Sequence, residues 1–172
     1  MTTDARALIE GGDTALGIEF GSTRIKAVLI GPDHQVLASG SHGWESHLDD
    51  GLWSYSLDEV RAGLRGAYAS LVGELRGKYG LTPTTYGSIG VSGMMHGYLA
   101  FNAEGRQLAQ FRTWRNTNTA EAAAELSELF GVNIPLRWSV AHLHQTICSG
   151  ETHVMRVASI NTLAGWVHEQ LT

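Results

Sequence analysis

The eight residues Glu19-Phe20-Gly21-Ser22-Thr23-Arg24-Ile25-Lys26 place a carboxylate, a glycine, two hydroxyls and an amine along one short bend. Hard cations prefer oxygen donors, so Glu19 can hold a magnesium ion through water. Gly21 permits close backbone approach. The N–H groups that follow it, with the hydroxyls of Ser22 and Thr23 and the amine of Lys26, can cradle phosphate oxygens. This is not a Walker loop: it lacks the Gly-Lys-Ser/Thr ending and runs into a strand instead of a helix. Taken alone, the same residues also make a plain hairpin with small residues at its bend.

Two further stretches carry polar and aromatic groups suited to a small polyol. Ser92-Gly93-Met94-Met95-His96-Gly97 follows an apolar run. A loop at the carboxyl end of a strand is where ligands bind in open α/β sheets. His96 can hydrogen-bond a hydroxyl or carbonyl, and Met95 can pack on a carbon face. The same loop also reads as a glycine-flanked turn with a satisfied histidine. In Phe111 to Thr119, Trp114 can stack on a ring or chain, and Arg115 and Asn116 can donate to hydroxyls. Equally, Trp114 can be core and Thr117 or Asn118 a helix cap.

The elements that must position these groups follow from periodicity. Ala15–Phe20, Ile25–Ile30 and Gln35–Ala38 read as three short strands joined by tight turns, an antiparallel meander. Residues 41–54 read as irregular. Leu57, Val60, Leu64, Ala67, Leu71 and Leu75 recur at helical spacing, which predicts a helix from Ser56 as cap to Tyr79, ended by Gly80. Tyr86–Ser92 reads as a buried strand, Tyr98–Phe101 as another, and Leu108–Arg112 as a further one. Thr119–Leu129, Val140–Cys148, His153–Val157 and Ile160–Leu171 read as helical. Meander, helix, strand and then helices is the opening order of an α/β fold of the actin-like, ribonuclease-H-like class, a mixed sheet with flanking helices.

The 172 residues suffice for one domain with a real core, and 43% are hydrophobic. The net charge of −5, with only 12 Lys and Arg, argues against a nucleic-acid or anionic-membrane surface. Cys148 is the single cysteine, so no disulfide framework exists and a reducing, cytoplasmic setting is expected. It reads as a small buried hydrophobe. His142 and His144 are two apart, on different helix faces, and do not read as a metal pair. Trp138 and Trp166 read as core, and Trp44, Trp53 and Tyr55 as either walls of a ligand cleft or covering for the sheet, with covering the preferred reading. Residues 1–14 lack the apolar segment of a signal peptide and read as a loose tail, and no stretch has the length of a membrane span.

Together the three motifs resemble the FGGY carbohydrate kinases, the family of xylulose, ribulose, gluconate and glycerol kinases. Glu19 to Lys26 is similar to that family's opening D-x-G-[ST]-[ST]-x-x-[KR]. Ser92 to Gly97 is similar to the S-G-Q-M-H-G of xylulose kinases, with Met94 for Gln. Trp114-Arg115-Asn116 with Thr119 is similar to the family's W-x-D and following Thr. Order and spacing agree from about residue 15 to the end. The resemblance implies residues 15–172 are the N-terminal, sugar-binding lobe, with the ATP lobe absent. It implies ATP and magnesium as cofactors and a ketopentose as the phosphoryl acceptor. Gly21, Ser22, Thr23 and Lys26 would hold phosphate, Glu19 magnesium through water, and Met95, His96, Trp114, Arg115 and Asn116 the sugar. Glu19 and Asn116 both stand where the family usually has Asp. The resemblance puts the general base, an aspartate, beyond Thr172, so the catalytic residue is not in this chain, which alone would be inactive. A homodimer stays open. Two other readings remain: an ATPase of the same fold acting on a protein partner, and a non-catalytic sugar-binding fragment.

Overall fold

The computed structural model describes residues 4–172. In chain order the elements are α1 (Ala5–Gly11), β1 (Ala15–Phe20), β2 (Arg24–Ile30), β3 (Val36–Gly43), β4 (His47–Asp49), β5 (Leu52–Ser54), α2 (Leu57–Tyr79), β6 (Ser88–Ser92), β7 (Leu99–Phe101), α3 (Ala120–Phe130), α4 (Ser139–Cys148), β8 (Ser159–Asn161) and α5 (Leu163–Leu171). They form two compact units. One comprises the chain up to Glu45 with Leu57–Gly93, the other Ser46–Ser56 with Met94–Thr172.

The first unit is a four-stranded mixed sheet in the order β3-β2-β1-β6, with the expected antiparallel meander and β6 parallel to β1. Strand alternation sends Leu16, Ile18, Phe20, Ile25, Ala27 and Leu29 to one face. The apolar stripe of α2 is buried too, with Val60, Ala67, Leu71 and Leu75 all inaccessible, and α2 packs on β2 and β3. The approach is close: a Cβ on Gly40 of β3 would lie 2.3 Å from backbone atoms of Ala67 and Leu71. The opposite face of the sheet carries Gly17, Glu19, Lys26, Val28, Ser39, Ser41, Gly90 and Ser92, which line a groove of about 760 Å³.

Three expectations for this unit change. Met1–Thr3 of the expected tail lie outside the described residues. The rest of that tail carries α1, because Asp4 caps it by accepting from the Arg6 amide at 3.0 Å and Gly12 closes it at φ 74°. Ile9 is buried, and Arg6 donates to the carbonyl of Tyr79 at the end of α2 (2.5 Å). β3 runs five residues past Ala38, to Gly43. β6 is mostly exposed where a buried strand was expected, with Ile89 53% accessible. It is the terminal strand of the sheet, and among the described residues none pairs with its outer edge.

The second unit holds two small antiparallel ribbons, β4–β5 and β7–β8, with α3, α4 and α5. The β4–β5 hairpin turns on Asp50 and Gly51, both at positive φ (47° and 77°), the backbone a two-residue turn of matching twist requires. It stands in what read as irregular chain. Ser159–Asn161 pairs with β7 instead of opening the last helix, and α5 begins after Thr162, whose hydroxyl accepts from the Gly165 amide (3.2 Å). Residues 107–112 form isolated bridges, Tyr98–Arg112 and Phe101–Gln107, in place of the expected strand, with the Leu108 amide donating to the Ala100 carbonyl (2.8 Å), and 153–157 reduces to a 3-10 turn over Val154–Arg156. Trp166 is buried as expected, whereas Tyr55, read as covering for the sheet, is buried within the second unit against Phe111.

The core of this unit contains a polar knot. Arg112 is buried and pairs with Glu151 at 2.5 Å; Glu151 lies 3.6 Å from His153 Nδ1; His153 Nε2 meets the Tyr98 hydroxyl at 3.0 Å. The Arg112 guanidinium also sits 5.3 Å from the Tyr98 ring centre. His142 packs on Tyr98 from α4, is 0% exposed, and neither ring nitrogen has a hydrogen-bond partner among the described residues. Burial, and secondarily the Arg112 charge, push its pKa down to about 4. In the unfolded chain His142 takes up a proton near pH 6.5, while the folded chain refuses it until about pH 4. Stability is therefore intact above pH 6.5 and falls as the pH drops toward 4, by roughly 3 kcal/mol at most from this group. Urea unfolding at pH 7 and pH 4.5 should show that loss, and His142→Leu should lessen it while leaving stability at pH 7 equal or higher. An unchanged acid sensitivity in the variant would place the cause elsewhere.

Candidate functional site

The predicted phosphate bend is built by the β1–β2 register. Glu19 faces Lys26 directly across the hairpin, and their side chains form an ion pair at 3.0 Å. The same row continues sideways: Lys26 is in register with Ser41 and Glu19 with Ser92. Four polar side chains, Ser41, Lys26, Glu19 and Ser92, thus cross the sheet in one line on the groove face. Beyond them the chain bends at Gly21, Ser22 and Thr23. Gly21 donates to the Arg24 carbonyl at 3.1 Å, and a Cβ at Gly21 would stand 2.9 Å from that oxygen, so only glycine closes the bend without displacing it.

Trp44, just after β3, braces this bend. Its indole N–H donates to the Gly21 carbonyl at 2.8 Å, its amide donates to the Thr23 carbonyl at 3.2 Å, and its ring meets Phe20 edge-on. Trp44 covers the sheet as expected, but its polar contacts with the bend were not foreseen. Ser22, Thr23 and Arg24 are exposed at the tip.

In the second unit, Met95 and His96 line a cleft of about 390 Å³ together with Trp138, Ser139 and Val140. Met95 is 72% exposed and His96 half-buried. The loop is fixed at Gly97. Its amide donates to the Arg137 carbonyl (2.9 Å), its carbonyl accepts from the Ser139 hydroxyl (2.5 Å), and its φ is 107°. A Cβ there would lie 2.4 Å from the Arg112 carbonyl oxygen, so glycine is required twice over, by space and by backbone angle. Trp138, read from the sequence as core, is 41% exposed and forms a wall of this cleft. Its place just ahead of α4, bounded by Pro135 and Ser139, was the available signal.

Trp114 is exposed but does not line the Met95–His96 cleft. Arg115 lies flat over the Trp53 ring, 3.3 Å from its centre, and donates to the Ser46 hydroxyl at 2.9 Å. Asn116 is 5% exposed and fully engaged. Its Oδ1 accepts from the Trp53 amide (2.8 Å), and its Nδ2 donates to the carbonyls of Trp53 (2.8 Å) and Thr113 (3.1 Å). The side chain acts as a strand partner for β5, not as a group presented to a ligand, which corrects its expected role as a hydroxyl reader. Thr119 precedes α3, yet its hydroxyl goes to the Leu136 carbonyl, so neither Thr117 nor Asn118 is the N-cap.

An amide is needed at position 116 because two carbonyls face its nitrogen. Asn116→Asp would set a carboxylate against both, and should lower stability by about 2–3 kcal/mol. A shifted urea midpoint at pH 7 that recovers as the pH falls through the carboxyl range is the expected result. An unshifted midpoint would mean the clamp on Trp53 contributes nothing.

Residues 14–150 match the model of the FGGY family of carbohydrate kinases, N-terminal domain. No match to a curated protein was found. Solved structures share the fold. A xyloylose kinase from Brucella ovis superposes with TM-score 0.77 at 20% identity, covering 90% of this chain and 33% of its own. A xylulose kinase from Bifidobacterium adolescentis gives 0.73 at 12%, covering 94% and 34%. A gluconate kinase from Lactobacillus acidophilus gives 0.69 at 14%, covering 86% and 30%. The chain thus spans about a third of the length of these structures. Among the described residues no helix is long and apolar enough to cross a membrane. With four-fifths of its length matched by the family model, the chain belongs to the FGGY family of carbohydrate kinases and carries the N-terminal domain.

Proposed function

We propose that the protein is the sugar-holding part of an ATP-dependent kinase that phosphorylates a hydroxyl of a ketopentose such as xylulose or ribulose. The observation that carries this reading is the braced bend at Gly21–Thr23, set directly beyond the Glu19–Lys26 pair. Its exposed hydroxyls and Lys26 suit the oxygens of a terminal phosphate, and Glu19 suits a hydrated magnesium ion. Arrival of phosphate and magnesium would replace the Glu19–Lys26 pair with one counter-charge for each partner. ATP and magnesium bound there would supply the transferring phosphoryl group and neutralise its charge.

The sugar is assigned to the cleft of Met95, His96 and Trp138. A thioether and an indole offer carbon faces, and a half-buried imidazole offers a hydrogen bond to a hydroxyl or carbonyl. Trp138 takes the stacking role first given to Trp114. Trp114 remains available as an exposed group, while Arg115, also exposed, is held over Trp53, whose backbone Asn116 fixes. The ketopentose preference rests on the similarity of Ser92–Gly97 to the xylulose-kinase segment, and several of the similar structures are xylulose kinases. The family resemblance gives the aspartate base to a segment after Thr172, so this chain alone binds without turnover. A cytoplasmic setting, where ATP is abundant and Cys148 stays reduced, goes with the reading.

Calorimetric titration of xylulose and ribulose into the 172-residue chain should give saturable binding at millimolar concentration or below, with a change in tryptophan emission that Trp138→Phe removes. His96→Ala should weaken binding about tenfold, the worth of one good hydrogen bond. Absence of heat and of any emission change across a ketose panel, with the chain folded, would contradict the assignment.

A further inference from the structure

Glu125, His144 and Cys148 stand apart from every residue assigned above. His144 and Cys148 are one helical turn apart on α4, so they share a face. α3 packs on α4 through Ala123, Leu126 and Ala141, which brings Glu125 to that face. The imidazole Nε2 lies 2.7 Å from Glu125 Oε2 and 3.7 Å from Cys148 Sγ, and all three ligand atoms fall within 4.8 Å of one another. From the sequence Cys148 reads as a buried hydrophobe, although His144 precedes it by four residues in the expected helix. The thiol is exposed: helical spacing supplies the imidazole and the packing of α3 on α4 supplies the carboxylate.

The geometry separates two uses of such a trio. A nucleophilic thiol activated by a histidine–carboxylate pair needs its partners on opposite ring nitrogens, so that a proton passes through the ring. Here both groups converge on one nitrogen, Nε2, and the relay has no through-path. Convergence on one point is the arrangement a cation needs. With metal–sulfur, metal–nitrogen and metal–oxygen bonds near 2.3, 2.05 and 2.05 Å, the edges of a tetrahedral site are about 3.4–3.6 Å. The sulfur–nitrogen separation is already close to that. The Glu125 side chain, 63% exposed, can swing outward by under an ångström to open its own edge.

We propose that Glu125, His144 and Cys148 form a binding site for a thiophilic divalent cation of the zinc type, with water as fourth ligand. Thiolate and imidazole donors favour zinc-like ions over the magnesium that kinase chemistry uses. On binding, the neutral imidazole offers the Nε2 lone pair to the cation and keeps its single proton on Nδ1. Cys148 releases its thiol proton to water, and no electron is transferred. The cation ties α3 to α4 near their middle and end, and so stiffens the helical pair beneath the Trp138–Val140 wall.

Cobalt(II) is the probe, because a thiolate ligand gives it a charge-transfer band and tetrahedral coordination gives it intense visible bands. Titration of the full 172-residue chain should develop both with one equivalent of cobalt, and zinc should bleach them. Cys148→Ala should lose the charge-transfer band, and Glu125→Gln should weaken binding, both with an unchanged circular dichroism spectrum. Zinc should also slow alkylation of Cys148. A cobalt spectrum without the thiolate band, a band that survives in Cys148→Ala, or a thiol alkylated equally fast with and without zinc would each overturn the proposal.

Discussion

The bend between β1 and β2 owes its shape to one tryptophan. Trp44 takes up the carbonyls of Gly21 and Thr23 through its indole and its amide, and rests its ring on Phe20. Two carbonyl oxygens that would otherwise repel an anion are thereby committed, while hydroxyls and an arginine stand exposed at the tip. The rest of the first unit serves that bend. The strict register from Ala15–Ile30 to Phe20–Ile25 delivers Glu19 opposite Lys26, and α2 anchors the sheet from the other face.

The second unit follows a different plan. Its ribbons are three residues long, so backbone pairing alone fixes little. Side chains substitute for missing strands: Asn116 pairs with both backbone polar groups of Trp53, the Ser139 hydroxyl pins Gly97 alongside the Arg137 backbone carbonyl, and Thr119 takes the Leu136 carbonyl. Such clamps are costly to disturb because each leaves a buried group unsatisfied. They hold the Met95–His96 loop without a sheet beneath it, the irregular but rigid kind of support that suits a cleft for a small polar ligand.

Local physics made the meander, α2, α3 and α4 legible, since strand alternation and helical spacing are properties of the segment itself. What was missed depends on partners or on very short elements. β8 is three residues whose pairing with β7 lies far away in sequence. The β4–β5 hairpin carried a readable Asp-Gly signal that aromatic neighbours obscured. β6 looked buried because Ile89 and Val91 are apolar, yet end-of-sheet position decides exposure, and position is topological. Gly21 and His96 were singled out from motif chemistry. The engagement of Asn116 and the approach of Glu125 to Cys148 came only from packing, and the exposure of Trp138 had only its place ahead of α4 as a signal. Residue type says what a group can do, and the neighbours decide whether it is free to do it.

The central claim is that the braced bend holds a terminal phosphate. Amide-resolved NMR of the 172-residue chain, titrated with magnesium tripolyphosphate, tests it without the adenosine lobe. The account predicts saturable shifts concentrated at Gly21, Ser22, Thr23 and Lys26 and abolished by Lys26→Ala. Saturation that leaves these amides unmoved, or shifts centred on other residues, would contradict it.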